Sequence, residues 1–128
     1  MTTLHDLSPA FRHVRLLLAR SPEQPEGNRN EGYDLLVPLQ SDGKLDAAEW
    51  KKHQQHCRVR YFKQGEQDRV GKLRRKPGGE WYFDYAEGTE DDEPGFRLGD
   101  EQFMLGEYVG IAHEGQMQTY QVARVERP

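Results

Sequence analysis

Apolar and polar residues alternate with a period of two along much of this 128-residue sequence, and this alternation constrains the fold more than any other feature. Successive side chains of a β-strand point to opposite faces, so the pattern predicts strands that bury one face and expose the other. Short segments rich in Gly, Pro or Asp separate most of the alternating stretches and predict reversals of the chain. Seven strands are predicted in this way, within residues 11–20, 33–40, 58–63, 68–76, 80–85, 107–113 and 117–125.

The predicted fold class follows from the short connections between these strands. Short reversals join neighbouring strands in antiparallel order, and a twisted sheet around a small core curls to protect its edges. We therefore expect a mainly-β domain, either a small antiparallel barrel or a strongly bent sheet of about six to seven strands, with one helix. Residues 1–10 are expected to form a flexible arm that precedes a single domain over 11–128.

Three features are expected to interrupt or limit the strands. Residues 21–32 contain two prolines, two glycines and no apolar side chain, which predicts a long loop. Pro38 has no backbone N–H to donate, so it should lie at an edge or at the end of a strand. Gly71 lies between Val70 and Leu73, which break strict alternation, and this spacing predicts a β-bulge.

One helix is predicted, over about residues 46–57. Asp46 fits the N-cap and Glu49 follows three residues later, which is the pattern of a capping box. Leu45 and Trp50 have the spacing of a hydrophobic staple around this cap. Because Trp50 is the largest apolar side chain of the segment, it is predicted to anchor the helix on the sheet.

Composition and charge argue against several classes of protein. Hydrophobic residues make up 34% of the chain and charged residues 31%, which is polar but leaves enough clustered apolar residues for a core. The single cysteine, Cys57, rules out a disulfide within the chain, and the longest apolar run, 16–19, is too short to cross a membrane. We therefore expect a cytoplasmic protein that binds no membrane. The net charge of −4 argues against a general nucleic-acid binder.

Charge is strongly segregated in the middle of the chain. Residues 58–76 carry eight basic and two acidic side chains, whereas residues 84–101 carry eight acidic side chains and one arginine. We expect the acidic loop over 87–93 to lie against the basic hairpin and neutralise it, within one chain or between neighbouring copies. The candidates for this charged surface are Arg69, Lys72, Arg74, Arg75, Lys76, Glu90, Asp91, Asp92 and Glu93.

No arrangement of residues in the sequence points to catalysis or to a metal. His53 and Cys57 would share one face of the predicted helix and could bind zinc, but a site needs further ligands, which only the distant His13 or His113 could supply. The acidic run 90–93 lacks the alternate spacing of a calcium loop. We therefore predict no catalytic residue, no metal ligand and no cofactor.

Glycine, aromatic and β-branched residues recur in the last two predicted strands: Gly106, Glu107, Tyr108, Val109, Ile111, Tyr120 and Val122. In this pattern of residues, the last third of the chain resembles small bacterial mainly-β proteins to which no activity is assigned. The resemblance implies a compact β fold and carries no activity with it.

Three functions are compatible with these observations. We expect first a non-enzymatic domain that binds a protein partner, or a second copy of itself, through its segregated charges. The alternative is a small-ligand pocket in the barrel mouth, with or without catalytic activity, lined by Trp81, Tyr85, Tyr108 and Tyr120. The second alternative is single-stranded nucleic-acid binding through the basic hairpin 58–76, which the neighbouring acidic residues oppose.

Overall fold

The computed structural model describes residues 8–20, 22, 25, 28–85, 93–95, 98–113 and 116–128, with the backbone alone for 93–95 and 113. These residues form eight β-strands, one short α-helix and two 3₁₀ turns. The strands are β1 (Phe11–Leu18), β2 (Asn28–Pro38), β3 (Arg58–Lys63), β4 (Arg69–Arg75), β5 (Trp81–Tyr85), β6 (Glu93–Gly95), β7 (Tyr108–His113) and β8 (Gln116–Glu126). The helix α1 spans Ala47–Lys52, and the 3₁₀ turns span Gln54–His56 and Leu98–Asp100.

All eight strands belong to one antiparallel sheet, in the order β6-β5-β4-β3-β2-β1-β8-β7. Strands that are consecutive in sequence pair with each other, with the exception of β6 and β7. β1 pairs with β8 as well as with β2. The sheet curls until its two edge strands, β6 and β7, approach within 8 Å between Cα atoms. The predicted mainly-β class is therefore confirmed, in the form of a strongly bent sheet.

The structure has one strand more than the seven that alternation predicted. β6 contains only three residues and pairs with the first three residues of β5. A segment this short, with the sequence Glu-Pro-Gly, carries no apolar alternation, so a periodic pattern could not reveal it. Its pairing with β5 creates one edge of the sheet.

Side chains on the inner face of the sheet pack into an aromatic core. The ring of Tyr33 lies 5.2 Å from that of Tyr61, 5.5 Å from that of Phe83 and 5.1 Å from that of Tyr120, between centroids. The tilted and T-shaped contacts among these rings are those that aromatic quadrupoles favour. Trp81, Phe83 and Tyr85 are all buried, so β5 buries one face as its alternation predicts.

The second strand is longer than the sequence indicated. β2 begins at Asn28, so residues 28–32, which were predicted to form part of a loop, belong to the sheet. Glu31 is 6% exposed, and its carboxylate accepts a hydrogen bond of 2.9 Å from the Tyr61 hydroxyl. A polar sequence therefore lies in a strand because a partner from β3 satisfies its buried carboxylate. Pro38 ends β2, in agreement with the expectation that it lies at an edge or strand end.

The expected bulge at Gly71 is wrong. β4 pairs with β3 and with β5 without a shift of register, and Gly71 takes an inward position opposite Val59. A Cβ atom at Gly71 would lie 2.2 Å from the carbonyl oxygen of Asp84 and 2.8 Å from the Cα of Tyr85. Glycine is therefore required by the close approach of β5, while Val70 points outward without any break in the alternation.

The helix is shorter than predicted. The Asp46 side chain accepts a hydrogen bond of 3.1 Å from the backbone N–H of Glu49, which confirms the N-cap. The backbone N–H of Asp46 donates to the Pro38 carbonyl instead of to the Glu49 side chain. The predicted capping box therefore has only one of its two hydrogen bonds. His53 ends the helix with φ −131° and ψ 33°, and a 3₁₀ turn follows. His53 and Cys57 therefore do not share one face of a continuous helix.

Trp50 anchors the helix on the sheet, as predicted. The residue is 8% exposed, and its indole ring makes a T-shaped contact with Trp81 at 5.2 Å between centroids. The indole N–H also donates a hydrogen bond of 2.9 Å to the carbonyl oxygen of Leu73 in β4. One side chain thus fixes α1 to β4 and β5 by both apolar contact and a buried hydrogen bond.

Candidate binding face on the outer side of the sheet

The outer face of the sheet carries two rows of polar side chains that cross its strands. Residues that are direct cross-strand partners lie side by side, so the register of pairing defines each row. The first row is Glu126, His13, Leu36, Arg58, Lys72 and Asp84. The second row is Arg124, Arg15, Asp34, Arg60 and Val70.

Every residue of both rows lines one groove of about 1040 Å³ on this outer face. We call it the charged groove. Among the described residues that line it, six are basic and three are acidic: Arg15, Arg58, Arg60, Lys72, Arg74 and Arg124 against Asp34, Asp84 and Glu126. The groove therefore has an excess of positive charge on a chain whose net charge is −4.

Asp34 holds two arginines of the charged groove in place. The Nε and Nη2 atoms of Arg15 donate to the two oxygens of its carboxylate at 2.9 and 3.1 Å, and Arg60 donates to the same carboxylate. Burial alone would raise the pKa of Asp34, but the hydrogen bonds from Arg15 and Arg60 outweigh it and hold the pKa below its usual value. Arg60 also pairs with Asp68 at 3.0 Å. These contacts fix both guanidinium groups before any ligand arrives.

The same two guanidinium groups lie over the ring of Phe62. Its ring centroid lies 5.0 Å from the Cζ of Arg15 and 5.4 Å from the Cζ of Arg60. A cation over an aromatic face is attracted by the ring quadrupole. The aromatic ring thus adds to the ordering of the second row rather than standing free for a ligand.

Two pairs of like charges face each other directly across neighbouring strands in the charged groove. Arg15 lies opposite Arg124 on β1 and β8, and Arg58 lies opposite Lys72 on β3 and β4. Like charges in directly opposite positions destabilise a sheet. In the part of the chain that the structure describes, neither Arg58 nor Lys72 forms an ion pair. Asp84, which lies opposite Lys72 on β5, accepts from Arg74 at 3.2 Å. The arrangement is suited to an anionic ligand.

The basic candidates predicted from the sequence divide into two groups. Lys72 and Arg74 line the charged groove. Arg69, Arg75 and Lys76 instead lie over aromatic rings, at 4.1 Å from the centroid of Tyr85, 5.3 Å from that of Trp81 and 5.6 Å from that of Tyr82. Among the acidic candidates, Glu90, Asp91 and Asp92 lie outside the described residues, and only the backbone of Glu93 is described.

The four candidates for a ligand pocket are not brought together at a common mouth. Trp81 packs against Trp50 beside the helix, and Tyr120 packs against Tyr33 in the core. Tyr108 is 60% exposed, whereas Tyr85 is buried and lines the charged groove. The inner-facing rings therefore fill the space between the strands.

The histidines and the cysteine around the end of α1 serve the packing there. The Cys57 thiol is fully buried and lies 3.5 Å from the carbonyl oxygen of His53, to which it donates. Burial raises the pKa of this thiol to about 12. The His53 ring makes a T-shaped contact with Phe11 at 5.8 Å and lies 3.7 Å from a carboxylate oxygen of Glu49. Within the described residues, no three His, Cys, Asp or Glu side chains are grouped as metal ligands would be.

The sequence did not reveal Arg15, Asp34 and Arg124 as candidates for the binding face, whereas Arg60 belongs to the basic hairpin 58–76 of the nucleic-acid alternative. The strands of the dense basic run are β3 and β4 alone, whereas the groove draws its charges from six strands. A signal was nevertheless present, because the three residues occupy polar positions between the apolar residues of alternating strands. These residues become neighbours only through the register of strand pairing, which the sequence does not show.

Comparison with models of known protein families, with curated proteins and with solved structures found no match for this chain. Among the helices of the described residues, none has the length and the apolar character needed to cross a membrane.

Proposed function

We propose that this protein is a non-enzymatic binding domain whose charged groove holds an extended, acidic segment of a protein partner. The observation that carries the proposal is that Arg58 lies directly opposite Lys72 in the groove and that neither forms an ion pair with a described residue. Asp84, which lies opposite Lys72 on β5, pairs with Arg74. A cross-strand pair of like charges costs stability, so a negatively charged ligand that lies between the two side chains would relieve a strain already present in the sheet.

The composition of the groove supports a protein ligand rather than a nucleic acid. Single-stranded nucleic acids bind to grooves that combine positive charge with exposed aromatic platforms. The one aromatic residue among the described lining residues is Tyr85, which is buried. Asp34, Asp84 and Glu126 also lie between the cations and would repel a continuous phosphate chain.

Apolar positions in the two rows support a segment with mixed side chains. Leu36 lies between His13 and Arg58 in the first row, and Val70 ends the second row with 48% of its surface exposed. An extended peptide places alternate side chains on one face about 7 Å apart. Such a peptide can direct carboxylates to the cations while an apolar side chain contacts Leu36 or Val70.

We further propose a cytoplasmic location for the domain, in a bacterium like those of the small β proteins that its last third resembles. The free thiol of Cys57 is buried in the core, which suits a compartment that keeps thiols reduced.

The test of the proposed function measures binding of short blocked peptides by fluorescence anisotropy and by shifts of amide resonances. We expect a peptide of alternating Glu and Leu to bind, to weaken as salt is raised, and to shift the amides of Leu36, Arg58 and Val70. A peptide of alternating Lys and Leu should not bind. Arg58→Glu combined with Lys72→Glu should abolish binding of the acidic peptide.

The matched control is Arg75→Glu combined with Lys76→Glu, which makes the same change in net charge outside the groove. We expect this variant to keep most of the binding. Equal losses in both variants would show that the overall charge attracts the peptide and would contradict a site in the groove. Tighter binding of a single-stranded oligonucleotide than of the acidic peptide would replace the proposal with nucleic-acid binding.

A further inference from the structure

A second groove of about 530 Å³ adjoins the charged groove and shares Arg15 and Arg124 with it. We call it the arginine groove. All of the charged residues among its described lining are arginines: Arg15, Arg20, Arg29 and Arg124. Asn28 and Gln121 add side-chain amides to the lining, and none of the described lining residues is acidic.

Irregularities in the pairing of β1 lie at this groove. The register between β1 and β2 shifts between Leu17 and Leu18, and the register between β1 and β8 shifts between Arg15 and Leu16. Shifts of this kind bend a strand, re-aim its side chains and occur often beside functional sites. Here the first shift leaves Arg29 without a partner on β1, although the adjacent Asn28 pairs with Leu18, and the end of β1 lies against the middle of β8.

The positive charge of the arginine groove is only partly compensated. Arg15 is held by Asp34, which leaves its position fixed at the boundary of the two grooves. Arg124 forms a pair of 3.3 Å with Glu126, but both side chains are more than half exposed and such a pair contributes little. As far as the described residues extend, Arg20 and Arg29 have no ion-pair partner.

We propose that the arginine groove binds a phosphoryl group carried by a serine or threonine of the partner segment, an inference that rests on the proposed function. The planar guanidinium presents donors that match phosphate oxygens, and clusters of arginine are the usual recognition element for phosphorylated segments. Because the two grooves share Arg15 and Arg124, one extended segment can place carboxylates in the charged groove and its phosphoryl group in the arginine groove.

A phosphorylated protein segment fits this surface better than an anionic membrane does. The exposed large apolar side chains of the described residues are Val70, Met104, Leu105, Tyr108 and Met117, and none of them lines the arginine groove. Leu17 and Leu18 line the groove but are half-buried, so the described lining has no fully exposed large apolar side chain of the kind that anchors a protein in a membrane surface.

The experiment compares two blocked peptides that share an alternating Glu and Leu sequence and end in Ser or in phosphoserine. We expect the phosphopeptide to bind the unaltered protein about tenfold more tightly, as one charge-assisted contact would produce. Arg20→Ala combined with Arg29→Ala should remove this gain and leave binding of the unphosphorylated peptide unchanged. Arg75→Ala combined with Lys76→Ala removes the same charge outside both grooves and should keep the gain.

The outcomes separate this inference from the proposed function. Equal affinities of the two peptides for the unaltered protein, or a gain that survives Arg20→Ala with Arg29→Ala, would overturn the phosphoryl site alone. If the unphosphorylated peptide fails to bind while the phosphopeptide and inorganic phosphate shift the Nε resonances of Arg20 and Arg29, the site stands and the proposed function fails. Thermal unfolding of each variant, followed by circular dichroism, verifies that it is folded.

A vesicle assay tests the other source of a phosphoryl group, the headgroup of an anionic phospholipid. Vesicles of phosphatidylcholine with and without phosphatidylserine are sedimented with the protein. We expect no co-sedimentation that depends on Arg20 and Arg29. Binding to the anionic vesicles that the Arg20→Ala and Arg29→Ala changes abolish, without any gain for the phosphopeptide, would assign the groove to a lipid surface and overturn the inference.

Discussion

Arg58 and Lys72 lie directly opposite each other on β3 and β4, and both side chains line the charged groove. Their mutual repulsion predicts that Arg58→Gln, at a position whose other cross-strand neighbour is the uncharged Leu36, stabilises the protein by about 0.2–1 kcal/mol while it weakens binding of an acidic peptide. Urea denaturation and peptide titration measure the two effects on the same sample. Arg75→Gln, outside the groove, should not stabilise the protein. A loss of stability in Arg58→Gln would show that the pair is not repulsive.

Asp34 should make folding stability depend on pH in the acidic range. Its pKa is below the usual value in the folded protein, so the contribution of its ion pairs is complete above the unfolded pKa of about 4 and is lost as the pH falls through the folded pKa. We expect Asp34→Asn to lower the free energy of unfolding by about 1 kcal/mol at neutral pH and to flatten the acid dependence.

Urea denaturation at a series of pH values measures this effect. Asp68→Asn is the control, because among the described residues Asp68 forms an ion pair with Arg60 only, and it is more exposed than Asp34. Asp68→Asn should lower the free energy of unfolding by less than Asp34→Asn does. Parallel stability curves for the unaltered protein and Asp34→Asn would mean that the carboxylate titrates equally in the folded and unfolded states.

The two contributions of Trp50 can be separated by two substitutions. Trp50→Ala removes the ring and should destabilise the protein by about 3–5 kcal/mol. Trp50→Phe retains an aromatic ring but leaves the Leu73 carbonyl without its donor, at a cost of about 1–3 kcal/mol. Denaturation followed by far-ultraviolet circular dichroism gives both values. An unchanged midpoint for Trp50→Ala would contradict the anchoring of α1 by this residue.

Gly71 should resist even the smallest side chain. A Cβ atom there would lie 2.2 Å from the carbonyl oxygen of Asp84, which is backbone and cannot move without displacing β5. We expect Gly71→Ala to lower the free energy of unfolding by about 2–3 kcal/mol. Gly78→Ala is the matched control, since no heavy atom lies within 4 Å of its Cβ position, and it should change stability by less than about 0.5 kcal/mol. Similar effects of the two changes would contradict this explanation.

The parts of the fold that could be predicted from the sequence are those that depend on local pattern. Alternation identified the buried side of β5, and the spacing of Asp46 and Glu49 identified the start of the helix. The errors have non-local causes. The buried strand position of Glu31 depends on a hydrogen bond from the hydroxyl of Tyr61, thirty residues later in the chain. The requirement for glycine at position 71 depends on the close approach of the β5 backbone.

The candidate site was predictable only in part, for a related reason. The basic run contained Lys72 and Arg74, which do line the charged groove. The partners that make the groove, above all Arg15 with Arg124, become neighbours through a register that includes a shift between Arg15 and Leu16. A shift of one residue turns every following side chain to the other face, so this arrangement requires coordinates.

The pairing of β1 with β8 has a kinetic consequence. Contacts between distant parts of a chain form late, because closing the large loop between them costs entropy before the contact rewards it. A chain in which β2 to β5 have paired in succession already places Arg58 beside Lys72, but Arg15 lies opposite Arg124 only after β8 has paired with β1. A nascent or partly unfolded chain therefore has only part of the charged groove, and the proposed binding of an acidic segment would require the complete sheet.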